Sequence, residues 1–146
     1  MTNQSVSENL KKALADSYAL YLKTQNYHWN VTGANFKTLH LLFEEQYNDL
    51  ALAVDEIAER IRALGEKAPG TWAAYEKLSS IKDGDENATA NTMVKELAED
   101  QEVIVKTLKQ VMAVAQETGD EVTIGLVVDR MTIHEKAAWM LRSSIE

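Results

Sequence analysis

Three histidines and 23 acidic residues are the side chains of this 146-residue sequence best suited to holding a metal, because it contains no cysteine. That absence removes disulfides, thiol nucleophiles, Cys-type zinc sites and iron–sulfur ligation. Imidazole and carboxylate together make the N/O donor set of iron and other first-row cations. Four such residues, His40, Glu44, Asp55 and Glu59, lie in one stretch of helical periodicity. With His40 at zero and about 100° per residue, they share a flank running from about 0° to 100°, beside small Ala51 and Ala58. Phe43, Tyr47, Leu50, Val54, Ile57, Ile61 and Leu64 fall on a separate stripe that reads as core. Glu45, Asp49, Glu56 and Arg60 read as a solvated face.

Within one chain these four residues cannot meet at one ion, since Glu44 and Asp55 stand about 16 Å apart along a helix axis. The set is, however, symmetric about the point between Asp49 and Leu50. A second copy of the helix, antiparallel across a two-fold axis there, brings His40 opposite Glu59, Glu44 opposite Asp55, and small Ala51 opposite Asn48. A two-fold contact duplicates every interaction, so two identical sites form per dimer. His28, across a tight turn from His40, can complete the ligand set. The sequence has no Glu-x-x-His, the motif that a di-iron site inside one bundle takes from two of its helices. Any metal site is therefore expected between subunits. A flank of acids with an occasional histidine is also what a plain solvated helix border looks like. His28 beside Trp29 equally suits a helix end packed under an aromatic.

The elements that must position these residues are helices. Four long segments carry the 3.6-residue period, none alternates with period two, and only six glycines and one proline are present. The first is expected over about 6–30, opened by Ser5-Val6-Ser7-Glu8 as a capping box and faced by Leu10, Leu14, Tyr18, Tyr21 and Leu22. The second is expected over about 36–64, stopped by Gly65; the third over about 89–118; the fourth over about 121–144. Trp72–Leu78 makes a short helix in the irregular stretch 65–88. Two hairpins joined by one long crossover give an all-α, ferritin-like four-helix bundle, with the whole of 1–146 as one domain.

Several other chemistries are disfavoured. A net charge of −8 opposes binding to phosphates and suits the gathering of cations. No apolar run approaches the ~20 residues of a membrane span. The opening Met1-Thr2-Asn3-Gln4-Ser5 lacks a basic-then-apolar leader, so a cytoplasmic protein is expected. His134 reads as a surface or packing residue, and Trp72 and Trp139 as packing or interface residues. The five methionines sit at core-like helical positions and give no support for a haem ligand.

Two blocks of the sequence resemble the Dps family, the DNA-binding proteins from starved cells. They are His28-Trp29-Asn30-Val31-x-Gly33-x-x-Phe36-x-x-Leu39-His40 and Asp55-x-Ile57-Ala58-Glu59-Arg60-Ile61, with Glu135-Lys136-x-x-Trp139-Met140-Leu141-Arg142 also similar. The resemblance implies a homododecameric shell that binds Fe(II) at two-fold interfaces, oxidises it preferably with hydrogen peroxide, stores ferric mineral and so protects DNA. It implies His28 and His40 as ligands from one subunit, Asp55 and Glu59 from its neighbour, and Trp29 as a candidate electron donor. Glu44 stands where the family usually has Asp, which moves its carboxylate by about one bond length. Gly125 replaces an Asp common in the family's pores, leaving Asp120, Glu121 and Asp129 as candidate acids for iron uptake. Met1–Ser7 carries no cation and the chain ends Ser143-Ser144-Ile145-Glu146, so DNA binding is expected to be weak or absent. The contrasting readings are an architectural protein that condenses DNA in stressed cells, placed at the nucleoid, and a metal-poor helical oligomer with an interaction role.

Overall fold

The computed structural model describes residues 3–145; Met1, Thr2 and Glu146, which belong to the expected termini, lie outside the described residues. Five helices follow in order: α1 (Asn3–Asn30), α2 (Phe36–Ala63), α3 (Trp72–Leu78), α4 (Ala90–Thr118) and α5 (Glu121–Ser143). The described residues contain no strand. α1 pairs with α2 and α4 with α5, while α1 against α4 joins the hairpins and α3 packs on α1. This is the all-α, ferritin-like bundle that the periodicity predicts.

Each boundary has a local cause. α1 spans Asn3–Asn30, so the helix already includes Ser5, ahead of the start expected at about residue 6. Thr71 caps α3 by accepting the Ala74 N–H, and Thr89 caps α4 by accepting the Thr92 N–H. α4 ends on Gly119 at φ +70, a left-handed cap that glycine adopts without a Cβ clash. The turn between α1 and α2 passes through Gly33 at φ +116, again a conformation that other residues rarely adopt. That turn brings the end of α1 back onto the start of α2.

The core runs along the bundle axis in two clusters. One is built around Leu20, Tyr27, Phe43, Leu97 and Ile104, and the other around Leu10, Leu14, Ile57, Ile61 and Leu108. Phe43 is fully buried, and its truncation to Ala would cost roughly 3–5 kcal/mol. Phe43, Leu50, Ile57 and Ile61 bury the predicted stripe of α2, with Tyr47, Val54 and Leu64 half-buried along its edges.

Polar pins fix the register of this core. Buried Asp16 accepts hydrogen bonds from the Thr107 hydroxyl (2.6 Å), the Ser80 N–H (2.6 Å) and the Ser79 hydroxyl (3.1 Å), tying the crossover to α1 and α4. The Tyr27 hydroxyl donates to Glu96 and accepts the Asp85 N–H. Two residues assigned to a solvated face prove to be contacts between helices. Asp49 receives a bidentate pair of bonds from Arg130 of α5 (2.8 and 3.2 Å), and Arg60 donates to Asp120 (3.0 Å) and Thr123 (3.0 Å). His134 is a core residue, only 2% exposed, whose Nδ1–H donates to Gln101 while its Nε2 accepts from Arg130. Burial, then the neighbouring Arg130 charge, push its pKa down to about 3, so it stays neutral.

Candidate metal centre

α1 delivers His28 in its last turn and α2 delivers His40 in its first two turns. The Gly33 turn folds one against the other, so the two imidazoles stack with centroids 3.8 Å apart and planes 12° from parallel. Their backbone bonds are reciprocal. His28 Nδ1–H donates to the His40 carbonyl at 2.7 Å, and His40 Nδ1–H donates to the His28 carbonyl at 2.7 Å. A carbonyl can only accept, so both Nδ1 atoms carry the proton. In a neutral imidazole the other nitrogen then holds a lone pair. Both Nε2 atoms are thus set up as metal donors, with ring orientation and tautomer fixed by the groups behind them. Phe36 stacks on His40 (5.0 Å) and Tyr47 packs edge-on to His28 (5.1 Å), holding the pair from both sides.

Among the predicted ligands, the fold sets His40 against His28 and Glu44 beside His28, in pairs. The Glu44 carboxylate lies 3.8 Å from His28 Nε2. Asp55 and Glu59 are exposed further along α2, and neither forms a hydrogen bond or ion pair with another described residue. Consistent with that split, no three His, Asp or Glu side chains among the described residues converge on one metal position within a single chain. Trp29 lies next to His28 in sequence and is 62% exposed.

The candidate uptake acids divide. Asp120 is the N-cap of α5, accepting from the Thr123 N–H (3.0 Å) and hydroxyl (2.6 Å) and from Arg60. Burial opposes its ionisation, but the Thr123 bonds and the Arg60 charge outweigh burial and hold the carboxyl below its ordinary range. Glu121 and Asp129 are exposed.

Known proteins resemble the whole of this fold. Residues 7–146 match the ferritin-like domain family. The chain is 43% identical over 141 residues to "DNA protection during starvation protein 2" of Bacillus anthracis, covering 97% of each. Its fold superposes on the crystal structure of a Dps protein from Bacillus brevis with a TM-score of 0.95 at 36% identity, over 99% of this chain and 97% of that one. The chain belongs to the Dps family. A Dps from Vibrio cholerae, described as a member of a broad superfamily of ferritin-like diiron-carboxylate proteins, matches with a TM-score of 0.94 at 33% identity, over 99% of this chain and 91% of that one.

Within this Dps chain the α2 flank also carries features that the wheel of charged residues passes over. Leu52 is 74% exposed and Leu41 44%, both off the core stripe and beside the acids. Both leucines share that face with small Ala51. No helix among the described residues is long and apolar enough to cross a membrane.

Proposed function

We propose that this Dps chain captures Fe(II) between two antiparallel copies of α2 and oxidises it, preferably with hydrogen peroxide, for storage as ferric mineral inside a homododecameric shell. One observation carries the reading: the reciprocal His28–His40 clasp, which leaves two Nε2 lone pairs open, that of His28 beside Glu44. The family supports the shell, the mineral and the choice of oxidant. Asp55 and Glu59 of the second copy complete the ligand set, a reading that the symmetry of α2 supports.

Fe(II) and peroxide are the substrates. Two Fe(II) ions give one electron each and peroxide accepts both, so with two waters the products are two FeO(OH) units and four protons. The chain's own residues supply binding and charge. His28 and His40 donate lone pairs while their Nδ1–H groups stay bonded to backbone carbonyls. Glu44, with Asp55 and Glu59 of the second copy, adds hard negative donors that favour the trivalent ion over the divalent one. Trp29, exposed next to His28, is the candidate electron donor to stray oxidant. Glu121 and Asp129 are the uptake acids left open to a cation, since Asp120 is held by Thr123 and Arg60. DNA binding is weak or absent at neutral pH, because the net charge of −8 repels phosphate.

The test loads the protein anaerobically with Fe(II), adds peroxide and follows ferric absorbance in wild type and Asp55→Ala. Rapid formation of a soluble ferric product, lost or much slowed in the variant, is the expected outcome. Equal rates in the two proteins would remove the intersubunit site.

A further inference from the structure

The aromatic residues around the histidines are not scattered through the core. From His28 they form one continuous series of ring contacts. Tyr47 lies 5.1 Å from His28 between centroids, Tyr21 lies 5.8 Å from Tyr47, Tyr18 lies 5.9 Å from Tyr21, and Trp72 lies 5.8 Å from Tyr18. Every step is within the range of direct aromatic contact. The series starts at a buried imidazole, runs through three half-buried phenols and ends at an indole that is 64% exposed on α3. Tyr75 stacks on Tyr18 at 5.0 Å but is buried, with its hydroxyl donating to the Pro69 carbonyl, so it is a side branch and not an exit.

We propose that Tyr47, Tyr21, Tyr18 and Trp72 form a hole-transfer path that carries one-electron oxidising equivalents from the His28 end of the metal centre to the surface at Trp72. The inference rests on the ferroxidase reading above. When a single Fe(II) meets peroxide, iron loses one electron and peroxide is reduced to hydroxide and a hydroxyl radical. That radical takes a hydrogen atom from the Tyr47 phenol, giving water and a tyrosyl radical. In each following step the next ring gives an electron to the oxidised phenol, which takes up one proton while a donor phenol releases its own, and the last electron comes from the Trp72 indole. Two electrons lost from Trp72, with one water, give hydroxytryptophan and two protons. A soluble reductant at the surface can instead return the electron. The path thus moves damage away from the ligands that the centre needs.

Trp139 supplies an internal control, because it is 58% exposed and belongs to no ring contact of this series. The assembled protein is loaded with less than one Fe(II) per centre and treated with peroxide. Freeze-quenched samples are read by electron paramagnetic resonance for tyrosyl and tryptophanyl radicals, and digests by mass spectrometry for oxidised tryptophan. Ferric absorbance in the same samples reports turnover. Radiolytic hydroxyl radical, generated in bulk water without iron, calibrates the intrinsic reactivity of each tryptophan.

Relative to that calibration, Trp72 should be oxidised severalfold more than Trp139 in wild type. Tyr21→Phe and Tyr18→Phe, which keep the ring and remove the oxidisable hydroxyl, should each abolish the excess and shift the radical signal to the Tyr47 side. Ferric formation without an excess at Trp72 would overturn the path while leaving the ferroxidase reading intact. An excess that survives both phenylalanine variants would also overturn it. Absence of any ferric product in wild type would overturn the ferroxidase reading itself and remove the source of oxidant.

Discussion

Asp49 and Asp55 stand less than two turns apart on α2, yet the fold treats them in opposite ways. Asp49 is locked to Arg130 by two hydrogen bonds, and Arg130, only 4% exposed, also donates to His134. Asp55 faces solvent and bonds to no described residue. A carboxylate that the fold has satisfied contributes stability and is closed to a cation. One that the fold leaves idle on a face with exposed Leu41 and Leu52 is available to a second copy of the chain and to the ion held between them. The contrast sorts the acids of this protein by function better than charge or position on a helix wheel does.

The sharpest way to break the contrast is to delete each member. Asp49→Ala leaves the Arg130 guanidinium buried without its counter-charge, which costs about 3–5 kcal/mol. We expect a large fall in the urea midpoint, and iron oxidation by the protein that remains folded should be kept. Asp55→Ala should do the reverse. Its unfolding midpoint should move by no more than the ~0.5 kcal/mol typical of surface sites. Ferric formation should slow by at least about 100-fold, since even groups that only orient ligands are worth 10–100-fold in affinity or activity. If Asp55→Ala is the destabilised variant and Asp49→Ala the inactive one, the sorting is wrong.

Asp120 sharpens the comparison, because it is engaged like Asp49 but lies on the expected uptake route. Asn is nearly as good a helix cap as Asp, so Asp120→Asn keeps the Thr123 N–H bond while it loses the charge paired with Arg60 and the Oδ2 acceptor of the Thr123 hydroxyl. The cost should stay near the 0–1 kcal/mol of a partly exposed ion pair. Its pH dependence has a definite sign. The Asp120 carboxyl is held below its ordinary value in the folded chain, so the wild-type advantage is full above that ordinary value. It fades as pH falls through the lowered one. Urea midpoints of the two proteins should therefore differ at neutral pH and converge in acid. A gap that widens in acid would show that the ion pair is not its source.

Most of the framework is readable from the sequence, and the reason is periodicity. α2, α3 and α4 fall within about a residue of where apolar spacing and caps place them, because those signals are local. The symmetry of His40, Glu44, Asp55 and Glu59 is equally local, being a property of one helix. What the wheel cannot supply is the neighbour. It assigns Asp49 and Arg60 correctly to a face off the core stripe, but their partners are on α5, about 60 to 80 residues away. The choice between surface and packing for His134 stays open in the sequence for the same reason, since Gln101 and Arg130 satisfy it only after α4 and α5 pack. The histidine clasp lies between these cases. Its turn is visible in Gly33, but the exchange of Nδ1–H bonds needs the backbone of one helix end to face the other.

The last test asks whether the two halves of the centre truly come from different copies. His40→Ala removes a ligand from the clasp, and Asp55→Ala removes one from the idle acid pair, so each homo-oligomer should be inactive. In a mixed two-fold pair the intact His40 of one copy faces the intact Asp55 of the other at one centre, while the second centre lacks both. Random co-assembly makes half of the pairs mixed, so roughly a quarter of wild-type centres should return, as two-fold symmetry dictates. The assay mixes unfolded chains in equal amounts, refolds them together and measures ferric formation after peroxide. Activity near a quarter of wild type requires an intersubunit centre, because no rearrangement within single chains can restore a deleted residue. Activity no higher than that of either parent would place His40 and Asp55 in the same centre from the same chain, and the symmetric reading of α2 would fail.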